Sequence, residues 1–246
     1  MKANFIFLVI LFSISSAAFS QSFSGEITYH VKLGYKPSDD EDEKYKRGSS
    51  IIADIVESSQ KDIEAIKTKL RFNSEVAVYS MEQQMERDVS SKFEAATAML
   101  KLDNTFYQFQ KDKLLLKQIE AFDKTFLIKS SWDMTWEISK ETKSINGYRC
   151  FKATTTEVVK NRSGVFKSPV VAWFTPEIPN EYGPIGYGGL PGLILKLEVK
   201  SNFPAQYEAE SIEISKKALN IEKPSGEEIS EKEMNRKFEQ AVGNRL

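Results

Sequence analysis

Cysteine and histidine are almost absent from this chain, and their scarcity excludes several kinds of active site. The 246 residues include one cysteine, Cys150, and one histidine, His30. The usual zinc, iron and copper sites need several such ligands, and a Ser-His-Asp triad needs a histidine beside its serine. A single cysteine also allows no disulfide within the chain. We therefore predict no cofactor and no zinc, iron or copper site, while carboxylate sites for calcium or magnesium stay open in principle. We expect stability to come from core burial.

An excess of positive charge is also lacking. The 34 basic residues are balanced by 35 acidic ones, the net charge is −1, and lysine and arginine form no long run. Nucleic-acid binding depends on concentrated positive charge, so we expect no nucleic-acid partner. Glycine and proline are too few for a fibrous chain, and the 41% apolar content is too high for disorder. The length indicates one domain, or at most two small ones, with a real core.

An apolar stretch of signal-peptide length occurs at the amino terminus. Lys2 precedes the stretch from Asn4 to Ile14, and small residues follow it, which is typical of an export signal. The stretch is well short of the ~20 residues that span a bilayer, so we predict no transmembrane segment in the mature chain. We expect residues 1–20 to be cleaved near Ser20/Gln21, leaving a periplasmic or secreted protein.

Most of the remaining chain has the pattern of short strands. Segments rich in Val, Ile, Thr and aromatic residues alternate with turn-forming residues. The predicted strands cover residues 25–33, 69–73, 76–81, 106–110, 113–120, 125–129, 136–142, 149–159, 170–175, 193–200 and 207–214. Neighbouring strands without long helices between them indicate an antiparallel sheet rather than βαβ units. The predicted fold class is mainly β (α+β), with one or two helices packed on the sheet.

Helical signals are fewer. Apolar spacing predicts a helix over residues 51–70, whereas residues 81–99 are compatible with a helix or a mobile loop. Ser225 followed by Glu228 predicts a helix start in the charged tail. The predicted organisation is a signal peptide (1–20), a single antiparallel β-rich domain (21–222) and a charged, helical tail (223–246).

A loop rich in proline and glycine, residues 176–192, carries the most information. Glycine permits positive φ and proline fixes φ, so the composition predicts a long, rigid loop rather than a linker. The loop lacks the Gly-Lys-Ser/Thr ending of a phosphate-binding loop. Two interpretations stay open: an architectural turn, or a loop that contacts a ligand or partner.

Aromatic side chains in and beside this loop are the candidate binding residues. Amphipathic aromatic side chains are favoured at contacts, although they serve equally well as packing. The candidate binding residues are Trp173, Tyr182, Tyr187, Gly189, Leu190, Pro191 and Gly192. We identify no catalytic constellation and no metal ligands in the sequence.

The segment Gly189 to Ile194 reads GLPGLI, and the chain resembles the GLPGLI family of exported proteins, typical of Bacteroidetes-type bacteria. The similarity includes Ala172-Trp173-Phe174 and residues 143–153 upstream, and it reaches, more loosely, to Trp136 and residues 125–129. The family has no assigned activity or catalytic residues, so the resemblance implies no functional residue. Its genes often lie near those of outer-membrane TonB-dependent receptors, which implies such a partner by association alone.

The strand–loop–strand arrangement around residues 176–192 also resembles the half-barrels of periplasmic lipoprotein carriers. This second resemblance rests on topology and not on shared motifs. It implies that the antiparallel sheet is half-barrel-like.

Two further features bear on catalysis. Asp133 and Glu137 lie beside two tryptophans, as two carboxylates and sugar-stacking aromatics do in glycosidases. The extended pattern of this segment favours a core-packing aromatic pair instead. Cys150 lies in an alternating strand pattern without a neighbouring histidine, which predicts a buried, inert thiol rather than a nucleophile.

Together these features predict an exported cell-envelope protein that is not an enzyme. The expected role is a binding or carrier module for an apolar ligand, or for an outer-membrane partner such as a TonB-dependent receptor. Two alternatives stay open. One is a carboxylate-dependent hydrolase of envelope or imported glycans, and the other is a purely structural component.

Overall fold

The described chain forms one 12-stranded sheet with three helices. A computed structural model describes residues 23–33, 50–82, 90–132, 134–161, 164–201 and 203–243, so the predicted signal peptide lies outside the described residues. The helices are α1 (Ser50–Glu64), α2 (Ser91–Met99) and α3 (Glu231–Gly243). The strands are β1 (Ser24–Leu33), β2 (Lys67–Phe72), β3 (Val76–Met81), β4 (Thr105–Phe109), β5 (Leu114–Ala121), β6 (Lys124–Ser131), β7 (Glu137–Ile145), β8 (Tyr148–Asn161), β9 (Gly164–Thr175), β10 (Leu193–Val199), β11 (Ala205–Ser215) and β12 (Glu227–Ser230).

The sheet is open and almost entirely antiparallel. Its strand order is β12-β6-β5-β4-β3-β2-β1-β11-β10-β9-β8-β7, so β12 and β7 are its two edges and it is not closed into a barrel. Strand accounts for 53% of the described residues, and among them β12 with β6 is the parallel pair. These features confirm the predicted mainly β fold class. The likeness to lipoprotein-carrier half-barrels stays a prediction.

The helix predicted over residues 51–70 is shorter than expected. Helix α1 ends at Glu64, and strand β2 begins at Lys67. In β2 the side chains of Thr68 and Leu70 are buried while their neighbours are more exposed, which is the period-two pattern of a half-buried strand. Pairing with β1 and β3 therefore overrides the helical spacing of the last apolar residues in this segment.

Residues 91–99, part of the segment that was compatible with a helix or a loop, form helix α2. Ser90 caps the helix, because its hydroxyl oxygen accepts a hydrogen bond from the Phe93 N–H at 3.2 Å. Residues 83–89 lie outside the described part of the chain. The helical alternative is thus correct for the carboxyl-terminal part of the segment.

The tail helix begins later than the sequence suggested. Residues Glu227–Ser230 form β12, and α3 starts at Glu231 rather than near Ser225. Ser230 and Glu233 form the capping box: the Glu233 N–H donates to the Ser230 hydroxyl at 3.2 Å, and the Ser230 N–H donates to the Glu233 carboxylate at 3.1 Å. The division between a domain at 21–222 and a tail stays a prediction.

Two apolar clusters hold the described elements together. The larger cluster joins one face of the sheet, called the inward face below, to α1, α2 and the proline- and glycine-rich loop. At its centre the Tyr207 hydroxyl donates a hydrogen bond to the Leu100 carbonyl, just after α2, at 3.3 Å. The smaller cluster consists of Phe126, Ile128, Ile229 and Met234. It fixes β12 and α3 to β6 separately from the main core.

Candidate functional site

The loop 176–192 packs against the inward face of the sheet. Its short 3₁₀ turn, Pro184–Gly186, contacts β3 and β4. The buried Gln108 side chain on β4 holds the loop at two points. Its amide nitrogen donates to the Tyr187 carbonyl at 2.9 Å, and its amide oxygen accepts from the Gly183 N–H at 3.3 Å. A side chain from a distant strand thus fixes the loop backbone.

Close backbone approach explains two of the loop glycines. A Cβ at Gly188 would lie 2.5 Å from both the Glu181 carbonyl oxygen and Cε3 of Trp132. A Cβ at Gly192 would lie 2.1 Å from the Thr175 carbonyl oxygen, and its φ of +152° is one that L residues rarely adopt. This packing supports the architectural interpretation of the loop.

The structure buries most of the predicted binding residues. Five of the seven are buried: Tyr182, Leu190 and Gly192, together with Tyr187 (5% exposed) and Trp173 (7% exposed). The other two, Gly189 and Pro191, are exposed. Trp173 lies on β9, with the Lys143 ammonium 4.2 Å and the Lys152 ammonium 5.9 Å from its ring. These seven residues are therefore not gathered on one accessible surface, and their binding role stays a prediction.

A cleft of about 240 Å³ lies between the loop and the inward face of β4, β5 and β6. Tyr187 is the predicted binding residue that lines it. The floor consists of Phe106, Leu115, Lys117, Ile128 and Ser130, and the other described lining residues are Lys101, Ser131, Trp132, Met134, Glu157, Ile185, Gly186 and Glu231. The cleft therefore combines apolar and aromatic residues of the floor and loop with several charged and polar groups, of which Lys117 lies in the floor.

Strand register explains how a lysine reaches this floor. Tyr79, Phe106, Lys117 and Ile128 lie directly opposite one another across β3, β4, β5 and β6. Opposite residues of an antiparallel sheet share a face, and Tyr79, Phe106 and Ile128 are all buried. Lys117 is thus the charged member of an otherwise apolar and aromatic row.

Electrostatics set Lys117 apart from the other charges of the cleft. Burial lowers the pKa of its ammonium, the neighbouring Lys101 lowers that pKa further, and Glu231, Asp103 and Glu157 oppose the shift. Glu157 already accepts a hydrogen bond from the Tyr187 hydroxyl at 2.9 Å and pairs with Lys101 at 3.4 Å. Within the described residues, Lys117 forms no ion pair or side-chain hydrogen bond.

The cleft opens toward a larger, polar groove. This groove, about 1150 Å³ in volume, lies between β8 and α3. Glu157 and Glu231 line both spaces, so they stand where cleft and groove meet.

The sequence did not single out Lys101, Lys117, Glu157 or Glu231. The strand pattern around Lys117 was visible, but three consecutive leucines precede it and hide which face of β5 points inward. Grouping the four charges requires contacts between residues far apart in sequence. Of the two carboxylates that lie beside the tryptophans in the sequence, Asp133 lies outside the described residues and Glu137 is exposed at the start of β7.

Cys150 has the environment predicted for it. The residue is fully buried, and burial raises the pKa of its thiol to about 11. Thiolate is the nucleophilic form of cysteine, so this environment disfavours reactivity. The prediction of a buried thiol is confirmed.

Within the described ranges, no three His, Cys, Asp or Glu side chains are grouped in a way that could hold a metal ion. None of the described helices has the length and apolar character needed to cross a bilayer.

The fold and cleft together define an open, mostly antiparallel β-sheet protein with an inward-packed loop beside a small mixed cleft. Residues 165–196, which include the whole loop, match a family described as "Protein of unknown function (Porph_ging)". This match is consistent with the GLPGLI resemblance. It covers all but the first residue of β9, the loop and the first four residues of β10.

Two crystal structures of PNGF-II, in space groups P21 and C2, have a similar fold. Their TM-scores are 0.52 and 0.51, both at 16% identity, and they cover 88% and 87% of this chain. The matched parts are 33% and 32% of the PNGF-II chains, so this protein spans about a third of their length. At this identity the likeness shows the fold alone. No curated protein sequence matches the chain significantly.

Proposed function

We propose that this protein is an exported cell-envelope binding module, and not an enzyme, which holds one small amphipathic ligand in the cleft beside Tyr187. The observation that carries the proposal is the composition of the cleft wall. Ligand sites are concave and mostly apolar, with a few polar groups that orient the ligand. Phe106, Leu115, Ile128, Ile185 and Tyr187 supply the apolar part of such a site, and Lys117 and Ser130 supply polar groups beside them.

The size of the cleft limits its ligand. Sites for drug-sized molecules measure ~300–1,000 Å³, and this cleft measures about 240 Å³. A small molecule, or one end of a longer one, fits such a space. The adjoining groove between β8 and α3 offers room for the remainder of a longer ligand.

Location and partner belong to the same proposal. The amino-terminal pattern supports export to the periplasm or beyond, with cleavage near Ser20/Gln21. The GLPGLI resemblance supports an outer-membrane receptor of the TonB-dependent type as the partner. In this account the module delivers its ligand to that receptor or receives it from there.

The binding role is tested by blocking the cleft. Ser130 is an exposed residue of the cleft floor, so Ser130→Trp places an indole where the ligand would lie. Ser144→Trp adds the same side chain at an exposed position of β7, away from the cleft. Each full-length chain is purified from native envelopes and analysed by mass spectrometry for bound small molecules and captured proteins.

We expect the wild type and Ser144→Trp to carry the same amphipathic compound, and Ser130→Trp to lack it. Identical small molecules on all three chains, or none on the wild type, would contradict the proposed function. Enrichment of one outer-membrane receptor supports the partner assignment. A wild-type chain that captures no envelope protein contradicts that part alone.

A carboxylate-dependent hydrolase is the second candidate, because Glu157 and Glu231 line the same cleft. Glycoside hydrolysis uses two such carboxylates on either side of the scissile bond. Glu157 is already engaged by Lys101 and Tyr187, which favours a structural role for this carboxylate. The observation therefore supports the hydrolase less well than it supports a binding module.

Turnover separates the two candidates. Wild type, Glu231→Gln and the exposed control Glu213→Gln are incubated with envelope glycans, and released sugar is measured. A binding module releases none. A hydrolase would release sugar, with a loss of about a hundredfold or more in Glu231→Gln and no loss in Glu213→Gln.

A further inference from the structure

We propose that Lys117 recognises an acidic group, so that the cleft selects ligands in which one carboxylate or phosphate is attached to a short apolar chain. This inference rests on the proposed binding function and names its ligand class. It assigns to Lys117 the role of the polar group that orients the ligand.

The position of Lys117 brings charge and apolar surface together. Phe106 and Ile128 lie directly opposite Lys117 on the two neighbouring strands. Leu115 lies two residues before it on the same face of β5 and also lines the cleft. An acid that pairs with the ammonium would therefore lay its apolar chain against these three side chains.

The other charges leave Lys117 as the available cation. Lys101 pairs with Glu157, which also accepts the Tyr187 hydrogen bond. Glu231 is exposed at the first position of α3, at the junction with the groove. Since Lys117 has no ion-pair partner within the described residues, a ligand anion meets an ammonium that no carboxylate already holds.

Energetics favour an acid over a neutral ligand. An ammonium in a partly dehydrated cleft has lost part of its hydration, and burial lowers its pKa accordingly. A ligand acid would restore a charged partner through a charge-assisted hydrogen bond. Such bonds change affinity by about tenfold or more.

A series of eight-carbon probes tests the assignment by calorimetric titration of the full chain. The probes are octanoate, octyl phosphate, octan-1-ol and octylammonium. We expect at least one acid to bind the wild type about tenfold more tightly than octan-1-ol, and octylammonium to bind more weakly than octan-1-ol. Preference for octanoate identifies a carboxylate ligand, and preference for octyl phosphate identifies a phosphate ligand.

Variants of Lys117 test whether this residue causes the preference for acids over octan-1-ol. Lys117→Met should bind octan-1-ol and the acids equally, whereas Lys117→Arg retains a cation and should keep the preference. Lys140→Met, at an exposed position of β7, is the matched control and should behave as the wild type. Thermal unfolding of each variant shows whether it is folded, and the wild-type probe series stands even if Lys117→Met is not.

The outcomes distinguish this inference from the function on which it rests. Binding of all four probes with equal affinity, or an acid preference that survives in Lys117→Met, would overturn the assignment while leaving a binding cleft. Absence of binding by all four probes would contradict the binding function itself.

Discussion

Gln108 shows how one buried side chain determines the position of a loop. Its amide group satisfies a carbonyl and an N–H of the loop at once, at a residue that is 1% exposed. Buried backbone groups that lose their partner cost about 1–3 kcal/mol each. The loop therefore depends on Gln108 for its attachment to β4.

Replacing Gln108 should loosen this attachment. Gln108→Leu keeps the size of the side chain but leaves the Gly183 N–H and the Tyr187 carbonyl without that partner. We expect a loss of about 2–4 kcal/mol in the free energy of unfolding, measured by urea denaturation. Gln118→Leu, the same change on β5, should cost less than about 1 kcal/mol. Equal losses in both variants would contradict the role assigned to Gln108.

Lys117 should give ligand binding a pH dependence. Its pKa lies below the usual 10.5 because of burial and Lys101, while Glu231, Asp103 and Glu157 oppose the shift. The ammonium is present below that lowered pKa and is lost as the pH rises through it. The preference for octanoate over octan-1-ol should therefore be stronger at pH 7 than at pH 10.5, and it should decline at a lower pH than an ordinary lysine would give.

The matched control for this pH dependence is Lys117→Arg, because arginine stays protonated in proteins. Titrations between pH 7 and pH 10.5 should show a constant octanoate preference in this variant. A wild-type preference that is equally constant would show that Lys117 does not carry it.

At the scale of elements, the loop 176–192 behaves as part of the core. The strands that flank it could be predicted, because β9 and β10 combine β-branched and aromatic residues with clear turn signals. Its inward packing could not, since Gln108 lies 75 and 79 residues away from its two partners. The cleft could not be predicted for the same reason, because its walls come from five separate elements and the loop, which are far apart in sequence.

At the boundaries of the elements, local sequence patterns and pairing with distant strands can favour different structures. Residues 63, 66 and 70 have helical spacing, yet the chain leaves α1 at Glu64 and enters β2 at Lys67. The pairing with β1 and β3 decides that boundary. In the tail, the sequence contains the capping pattern twice, at Ser225 and Glu228 and at Ser230 and Glu233, and the second pair begins the helix.

The glycines of the loop provide a test at this scale. Gly192 and Gly147 both have positive φ, of +152° and +84°, but only Gly192 has backbone where a Cβ would lie. Alanine at Gly147 should cost about 1–2 kcal/mol for the conformation alone. Alanine at Gly192 should cost a further 1–3 kcal/mol or more for overpacking, measured by thermal unfolding. Equal costs would contradict the packed position of the loop.

At the scale of the whole molecule, the two apolar clusters predict two levels of stability. The main core joins the inward face of the sheet to α1, α2 and the loop, whereas β12 and α3 depend on a cluster of four buried residues that includes Met234. Regions with few buried apolar contacts open more readily than the core. We expect amide hydrogens of α3 to exchange faster than those of β10, as measured by hydrogen-exchange mass spectrometry.

Met234→Ala should increase the difference in hydrogen-exchange rate between α3 and β10. Loss of a buried methionine costs about 2–5 kcal/mol, and here the cost falls on the attachment of the tail. Exchange in β12 and α3 should accelerate while exchange in β10 stays unchanged. Met99→Ala, at a residue that is 41% exposed, should change neither. Uniform acceleration in Met234→Ala would show that tail and core unfold as one unit.

The central claim, that the cleft is the ligand site, is tested most directly by methyl NMR of the full chain titrated with octanoate. The account predicts shifts at the methyl groups of Leu115, Ile128 and Ile185, which line the cleft. Val165 and Ile138, which are more than a third exposed elsewhere on the sheet, should not respond. Shifts at these exposed methyl groups, with none at the cleft, would contradict the claim.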